Sequence, residues 1–259
     1  MFTMNEQADG DVKVKSLGKA LGLLEFFTQE CPERGISELA ELSGLLKSSV
    51  HNMVSTFEAC GFVEKNQATG KYRLGVKILR LSNSLYLSHD LRNLLRPRLE
   101  DLAAAANENV YLTTLDDDKA IYVDAIYPPG RYSGRSIIGI DAPLYCTGVG
   151  KAIMAELGPA RIDKIIAQGL VAYTQHTITD GDRLRKNLAV TRSRGYAIDD
   201  MEHEFGIRCV AVAIKNIKGS VAGSVSLSGP APRFTDERVR EFATMLKKLA
   251  EDSRGLIRR

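Results

Sequence analysis

The stretch SELAELSGLLKSSVHNMVST, Ser37–Thr56, decides how the first part of the chain folds. Ser37 to Leu42 reads as a short helix, with Ser37 as its N-cap and acids in its first turn. Ser43-Gly44 stops it, and a second helix over about Lys47–Ala59 carries Val50, Met53, Val54 and Phe57 at i, i+3, i+4 and i+7, one buried stripe. Ala40 is small where the two helices must cross, Gly44 stands where the turn needs a positive φ, and Val50 plugs the core between them.

Upstream, Leu17, Leu21, Leu24 and Phe27 place a core-facing helix over Ser16 to about Glu30, closed by the breaker Cys31-Pro32-Glu33-Arg34-Gly35. Downstream, Gly61 ends the second helix. Two strand-like runs, Phe62–Lys65 and Lys71–Leu74, then flank the loop Asn66–Gly70. Helix, helix, turn, helix and hairpin in this order make a winged helix-turn-helix. The competing readings are a helical hairpin that binds no nucleic acid and a winged unit that grips protein, which salt-insensitive binding would favour.

Charge is distributed unevenly. Residues 1–43 hold four bases against eight acids, whereas residues 44–80 hold six bases against two acids. A basic focus is what a phosphate-facing surface requires, although a solvated helix face accounts for charge alone equally well. On the second helix, the face opposite the apolar stripe is centred on Ser48, Asn52 and Ser55, flanked by Ser49 and His51. Ser48, Ser49, His51 and Asn52 are therefore the expected base-edge contacts in a major groove, and Lys47, Lys71 and Arg73 the expected phosphate contacts. His51 taken alone would be an ordinary surface imidazole.

The remainder reads as an α/β unit of about 170 residues within an α+β chain. Gly75–Leu87 looks like a connecting helix, and Pro97 is expected in the first turn of a helix containing Leu99 and Leu102. Strands are expected at Val110–Leu115, Ala120–Tyr127, Ile207–Lys215 and Ser220–Ser228. Helices are expected near Lys151–Leu157, Arg161–Gln168 and Gly181–Arg194, with a closing helix capped by Thr235. The expected division is 1–75 for the winged unit, 76–90 for a linker helix and 91–259 for the second domain.

With 44% apolar and 26% charged residues in 259, the chain has the composition of an ordinary globular protein, which excludes disorder, collagen and a disulfide scaffold. No apolar run is long enough to span a membrane, and MFTMNEQADGDVKVKS lacks the apolar core of a secretory signal. Cys31, Cys60, Cys146 and Cys209 lie far apart and are expected to be reduced thiols in a cytoplasmic protein.

No catalytic constellation assembles, so no catalytic residue, metal or cofactor is expected. Gly150-Lys151 fails the phosphate-loop pattern, because Tyr145 and Ala152 stand where glycine and Ser/Thr are needed. Asp116-Asp117-Asp118 reads as a turn, and Glu202-His203-Glu204 as a solvated charge run. Thr147-Gly148-Val149-Gly150 leads into a helix, where bare amides can receive a carboxylate; a glycine-rich turn that merely starts a helix explains it equally well.

GYAIDDMEHEFGIRCVAVAI (Gly195–Ile214) resembles the effector-domain signature of the IclR family of bacterial transcription regulators. LYCTGVGKAIMA (Leu144–Ala155), SVSLSGP (Ser224–Pro230), KSSVHNMV (Lys47–Val54) and GKYRLG (Gly70–Gly75) are similar to that family's other marks. The resemblance covers essentially the whole chain. It implies an N-terminal winged helix-turn-helix, a linker helix and a C-terminal GAF-like effector domain, forming a homodimer or dimer of dimers on double-stranded operator DNA. It further implies control of a catabolic operon by a small organic acid, held by the amides of Gly148 and Val149 in a cavity lined by Asp199, Cys209, Ser226 and Ser228.

A buried Asp199 facing an anion is costly unless the ligand offers donors, which favours a hydroxylated, sugar-derived acid. The polar segment Gly130–Arg135, expected to close the pocket, points the same way. The chain departs from the family pattern at Val212-Ala213, where Pro commonly follows Cys-x-Ala, and at Asn52, where Arg is frequent. The alternative is an acid-metabolising enzyme with an appended DNA-binding unit, which turnover of a bound acid would reveal.

Overall fold

A computed structural model describes residues 12–88, 90–130 and 136–257, and of residues 86–90 the backbone alone where it is given. Most of the N-terminal stretch read above for a secretory signal, and residues 131–135 of the polar segment, lie outside the described residues. The chain divides into two compact units after Leu87.

The first unit holds α1 (Lys15–Leu24), α2 (Ile36–Ser43), α3 (Lys47–Ala59), β1 (Val63–Lys65), β2 (Tyr72–Leu74) and α4 (Val76–Ser88). Its core is Leu23, Phe26, Phe27, Leu39, Ala40, Val50, Val54, Val63 and Tyr72, with Met53 and Phe57 packed against it. The stripe on α3 is thus the one its spacing predicts, and Gly44 takes φ 69° in the turn before it.

Two expectations fail in this unit. Leu17 and Leu21 are exposed, because α1 turns Leu23 inward with the half-buried Ala20 and Leu24; Leu24 is shared with the expected stripe, both sets fit a helical period, and the chain leaves the helix so that Phe26 and Phe27 fill the core. Ser37 is not the N-cap. Gly35 is, and the Glu38 carboxylate accepts the Gly35 N–H at 2.6 Å. Arg34 also bridges to Tyr72 on the other edge of β2, adding a one-residue third strand that its sequence does not announce.

The second unit is built on a six-stranded antiparallel sheet in the order β5-β4-β3-β8-β7-β6. Its strands are β3 (Asn109–Asp116), β4 (Lys119–Ile126), β5 (Asp141–Ala142), β6 (Ala197–Asp200), β7 (Ile207–Lys215) and β8 (Val221–Pro230). Around it lie α5 (Asp90–Ala106), α6 (Gly148–Met154), α7 (Pro159–Ala167), α8 (Gly181–Arg194) and α9 (Asp236–Arg254). Large side chains such as Val210, Ile214, Val225 and Leu227 face a core shared with α5 and α9. Small ones, Ala120, Ala142, Ala197 and Ala211, face α6, so that this helix can lie close to the sheet.

Pro97 is the eighth residue of α5, not a first-turn residue; the fully buried Leu95 and Leu99 hold the helix on the sheet across the missing N–H. Strands β5 and β6 are too short for an alternating pattern to register in the sequence, and α6 starts three residues earlier than expected, at Gly148. Thr235 does cap α9, accepting from the Arg238 N–H. No helix among the described residues is long and apolar enough to cross a membrane.

Candidate functional site

On the first unit, α3 presents Lys47, Ser48, His51 and Asn52 to solvent, with Ser49 and Ser55 half-buried. The helix therefore offers one polar face for groove entry, opposite Val50 and Val54. On the wing, the two expected phosphate contacts are paired with carboxylates. Lys71 Nζ lies 3.0 Å from Glu38, and Arg73 lies 2.6 Å from Glu64 and 3.9 Å from Glu33. The lysine contact, with the Gly35 N–H ahead of it, holds the Glu38 carboxyl below its usual range. Lys47 makes no ion pair among the described residues. The acidic and basic halves noted in the sequence thus meet at the hairpin.

In the second unit, a cavity of about 490 Å³ opens between α6 and the sheet. Thr147 caps α6: its Oγ1 accepts the Gly150 N–H at 3.0 Å and donates to the Pro143 carbonyl at 2.7 Å. The first-turn amides of Gly148 and Val149 are left without an intrahelical partner. A Cβ on Gly148 would come within 3.2 Å of Cys209 Cβ, so glycine is what lets this turn approach β7. Alternation along SVSLS turns Ser226 and Ser228 to the cavity while Val225 and Leu227 face the core. Cys209 Sγ donates to Ser228 Oγ at 2.9 Å, and burial pushes that thiol upward in pKa.

All six residues named for the effector, Gly148, Val149, Asp199, Cys209, Ser226 and Ser228, line this one cavity. Sequence reasoning missed Asn109, Tyr111, Tyr122, Asp141, His203 and Glu204, which also line it. Tyr111 and Tyr122 meet edge to face at 5.8 Å. An alternating strand carrying both tyrosines and apolar residues gives no sign of which face is core.

Among the described residues the walls contain no lysine or arginine. Asp199 is almost fully buried; its Oδ1 accepts the Glu202 N–H at 2.8 Å, and burial, opposed by that hydrogen bond and by Lys151, raises its pKa to about 7. Glu202 corrects the solvated-run expectation. It is buried and paired with Lys151, itself wholly buried on α6, and desolvation raises its carboxyl pKa. Thr177 Oγ1 donates to the Glu202 carbonyl and Thr174 Oγ1 to that of Met201, which straps the loop in place. Only Glu204 of the triplet stays exposed. Asp117 and Asp118 do form a turn, with Asp118 paired to Arg161 and Lys164, and no metal-holding cluster occurs among the described residues.

A winged helix-turn-helix followed along the chain by an α+β unit with a polar cavity defines a DNA-binding transcription regulator. Comparison with known proteins makes this specific. Residues 16–67 match the IclR helix-turn-helix domain, and residues 84–254 match the family described as bacterial transcriptional regulator IclR C-terminal. The chain is 33% identical over 243 residues to the transcriptional repressor IclR of Escherichia coli strain K12, covering 93% of this chain and 89% of that one. It is likewise 33% identical over 243 residues to the acetate operon repressor of Salmonella typhimurium strain LT2, with the same coverage of 93% and 89%. The crystal structure of an IclR transcriptional regulator from Alicyclobacillus acidocaldarius aligns with a TM-score of 0.82 at 25% identity, covering 93% of this chain and 98% of that one. The chain belongs to the IclR family of bacterial transcription regulators. It is a regulator, not the enzyme considered as the alternative.

Proposed function

We propose that this regulator binds operator DNA through α3 and the β1–β2 wing and adjusts that binding to a small organic acid held in the α6 cavity. In this reading Ser48, Ser49, His51 and Asn52 meet base edges, while Lys47, Lys71 and Arg73 meet phosphates. The amides of Gly148 and Val149 take the carboxylate; Asp199, Cys209, Ser226 and Ser228 take its hydroxyl or keto groups. The observation that carries the reading is the convergence of these six residues, with their amides and hydroxyls, on one cavity.

A hydroxylated, sugar-derived acid (an aldonate or 2-keto-3-deoxy acid) suits the site best. It supplies the donors that Asp199 requires, and about 490 Å³ is ample for a six-carbon ligand. The chain acts as a homodimer or dimer of dimers, so that two recognition helices meet a pseudo-palindromic operator. Ligand control then requires that the acid bind one of two arrangements better than the other.

Fluorescence anisotropy on the upstream intergenic DNA, against random duplex, tests the DNA arm: binding should be selective and salt-sensitive. A thermal-shift panel tests the other. Sugar acids should raise the melting temperature and alter operator affinity, and a panel led by pyruvate or an aromatic acid would overturn the assignment of ligand class.

A further inference from the structure

A second cavity, of about 400 Å³, lies in the second unit between the C-terminal end of α8, strand β7 and α9, with Val212 and Ala250 in its walls. Positive charge predominates there. Arg194 stacks on the Tyr196 ring with its Cζ 4.5 Å from the centroid, and Lys247 Nζ lies 5.2 Å from the same centroid, so two cations converge on one aromatic ring. Arg194 Nε donates to the Tyr196 carbonyl, and Lys247 Nζ to the Arg194 carbonyl, which fixes both side chains.

Arg254 adds a third cation to the rim. None of the three makes an ion pair with a carboxylate among the described residues. Of the two acids in the walls, Glu156 is already held by Lys215 at 2.8 Å, which leaves Glu251 alone to face three positive charges. The carbonyl end of α8 contributes only about half a negative charge. Burial without a counter-charge lowers the Arg194 pKa.

We infer that this cavity is an anion site, distinct from the α6 cavity, for a small multivalent oxyanion: a phosphoryl or polycarboxylate metabolite held by Arg194, Lys247 and Arg254. The guanidinium offers paired donors to one oxyanion group, the ammonium and Arg254 reach a second, and the apolar wall receives a short carbon skeleton. Arg194 and Lys247, held in place yet without a carboxylate partner among the described residues, suit such a ligand, since little side-chain freedom remains to be lost on binding.

The test is calorimetric titration of the full chain with pyrophosphate and, separately, with citrate, at constant ionic strength balanced by chloride. Saturable binding is expected, and the stronger of the two ligands tells phosphoryl from carboxylate preference. Arg194→Gln and Lys247→Met should each weaken it by about tenfold. Arg254→Ala, at an exposed position where folding is not at stake, should weaken it severalfold, and Asp199→Asn should leave it unchanged. Three results would overturn the inference: no saturable heat with either anion, equal affinity in the Arg254→Ala protein, or a change of affinity in either direction on Asp199→Asn, which would place the anion in the other cavity. In the first case the cations serve only to cap α8.

Discussion

Lys151 and Glu202 form an ion pair in which the lysine is wholly buried and the glutamate nearly so, joining α6 to the loop that follows β6. Among the described residues Glu202 Oε2 has no hydrogen-bond partner, and Lys151 is the cation that the carboxylate faces. Lys151→Met should destabilise the second unit by about 3–5 kcal/mol, because it strands a buried charge. Adding Glu202→Leu should recover much of that loss. Urea unfolding of both proteins checks this; a double variant no more stable than the single one would contradict it.

Asp199 makes stability and ligand binding pH-dependent. Burial raises its pKa from 3.8 to about 7 in the folded chain. Between those values the unfolded chain has lost the proton that the folded chain keeps, so stability falls as pH rises through the window and levels off above about 7. Asp199→Asn should remove this component of the slope in melting temperature between pH 5 and 7.5. Acid binding should weaken above about pH 7 by at most about tenfold per unit, as the ionised Asp199 repels the ligand; the Asp199→Asn variant should show a flat profile.

Gly148 and Gly150 should respond differently to alanine. At Gly148 the new Cβ meets only side chains, 3.2 Å from Cys209 Cβ and 3.5 Å from Ala211 Cβ, so the protein should fold while the methyl crowds the first-turn amides and effector affinity drops about tenfold or more. At Gly150 it would lie 2.5 Å from Leu144 Cα and from the Pro143 carbonyl, and folding itself should suffer by about 1–3 kcal/mol or more. Thermal melts with and without a bound sugar acid separate the two effects.

On the DNA side, Asn52→Ala should cost about 1–3 kcal/mol on the operator and little on random duplex, relaxing sequence preference. Lys71→Ala should weaken both about equally, because a phosphate contact carries no sequence information. Anisotropy titrations on the two duplexes distinguish them; equal losses for Asn52→Ala would remove it from the base-reading face.

Where local chemistry and tertiary packing agree, sequence is sufficient. The stripe of Val50, Met53, Val54 and Phe57 admits one face only, and Gly44 and Thr235 act through their own backbone. Where two answers share a period, it is not. In α1 the Leu17/Leu21/Leu24 and Ala20/Leu23/Leu24 sets are equally helical, and what α1 packs against makes the choice between them. Glu202 reads as solvated for a related reason: its partner Lys151 lies 51 positions away, and only the close approach of α6 to β7 encloses both. The six residues proposed to hold an effector are legible through family resemblance, whereas the tyrosine wall requires the sheet to be assembled first.

The wing carries its own counter-charges. While DNA is absent, Glu33, Glu38 and Glu64 occupy Lys71 and Arg73. In the proposed docking, a phosphate must take each cation from a carboxylate rather than from water and loose ions. Salt weakens the carboxylate pairing that is surrendered as well as the phosphate pairing that replaces it, so the ionic-strength dependence of binding counts fewer phosphates than the wing touches. The released glutamates then stand as like charges beside the duplex. Such a hairpin holds arbitrary DNA weakly and releases it quickly, and long residence falls to sites where the recognition helix has found its bases.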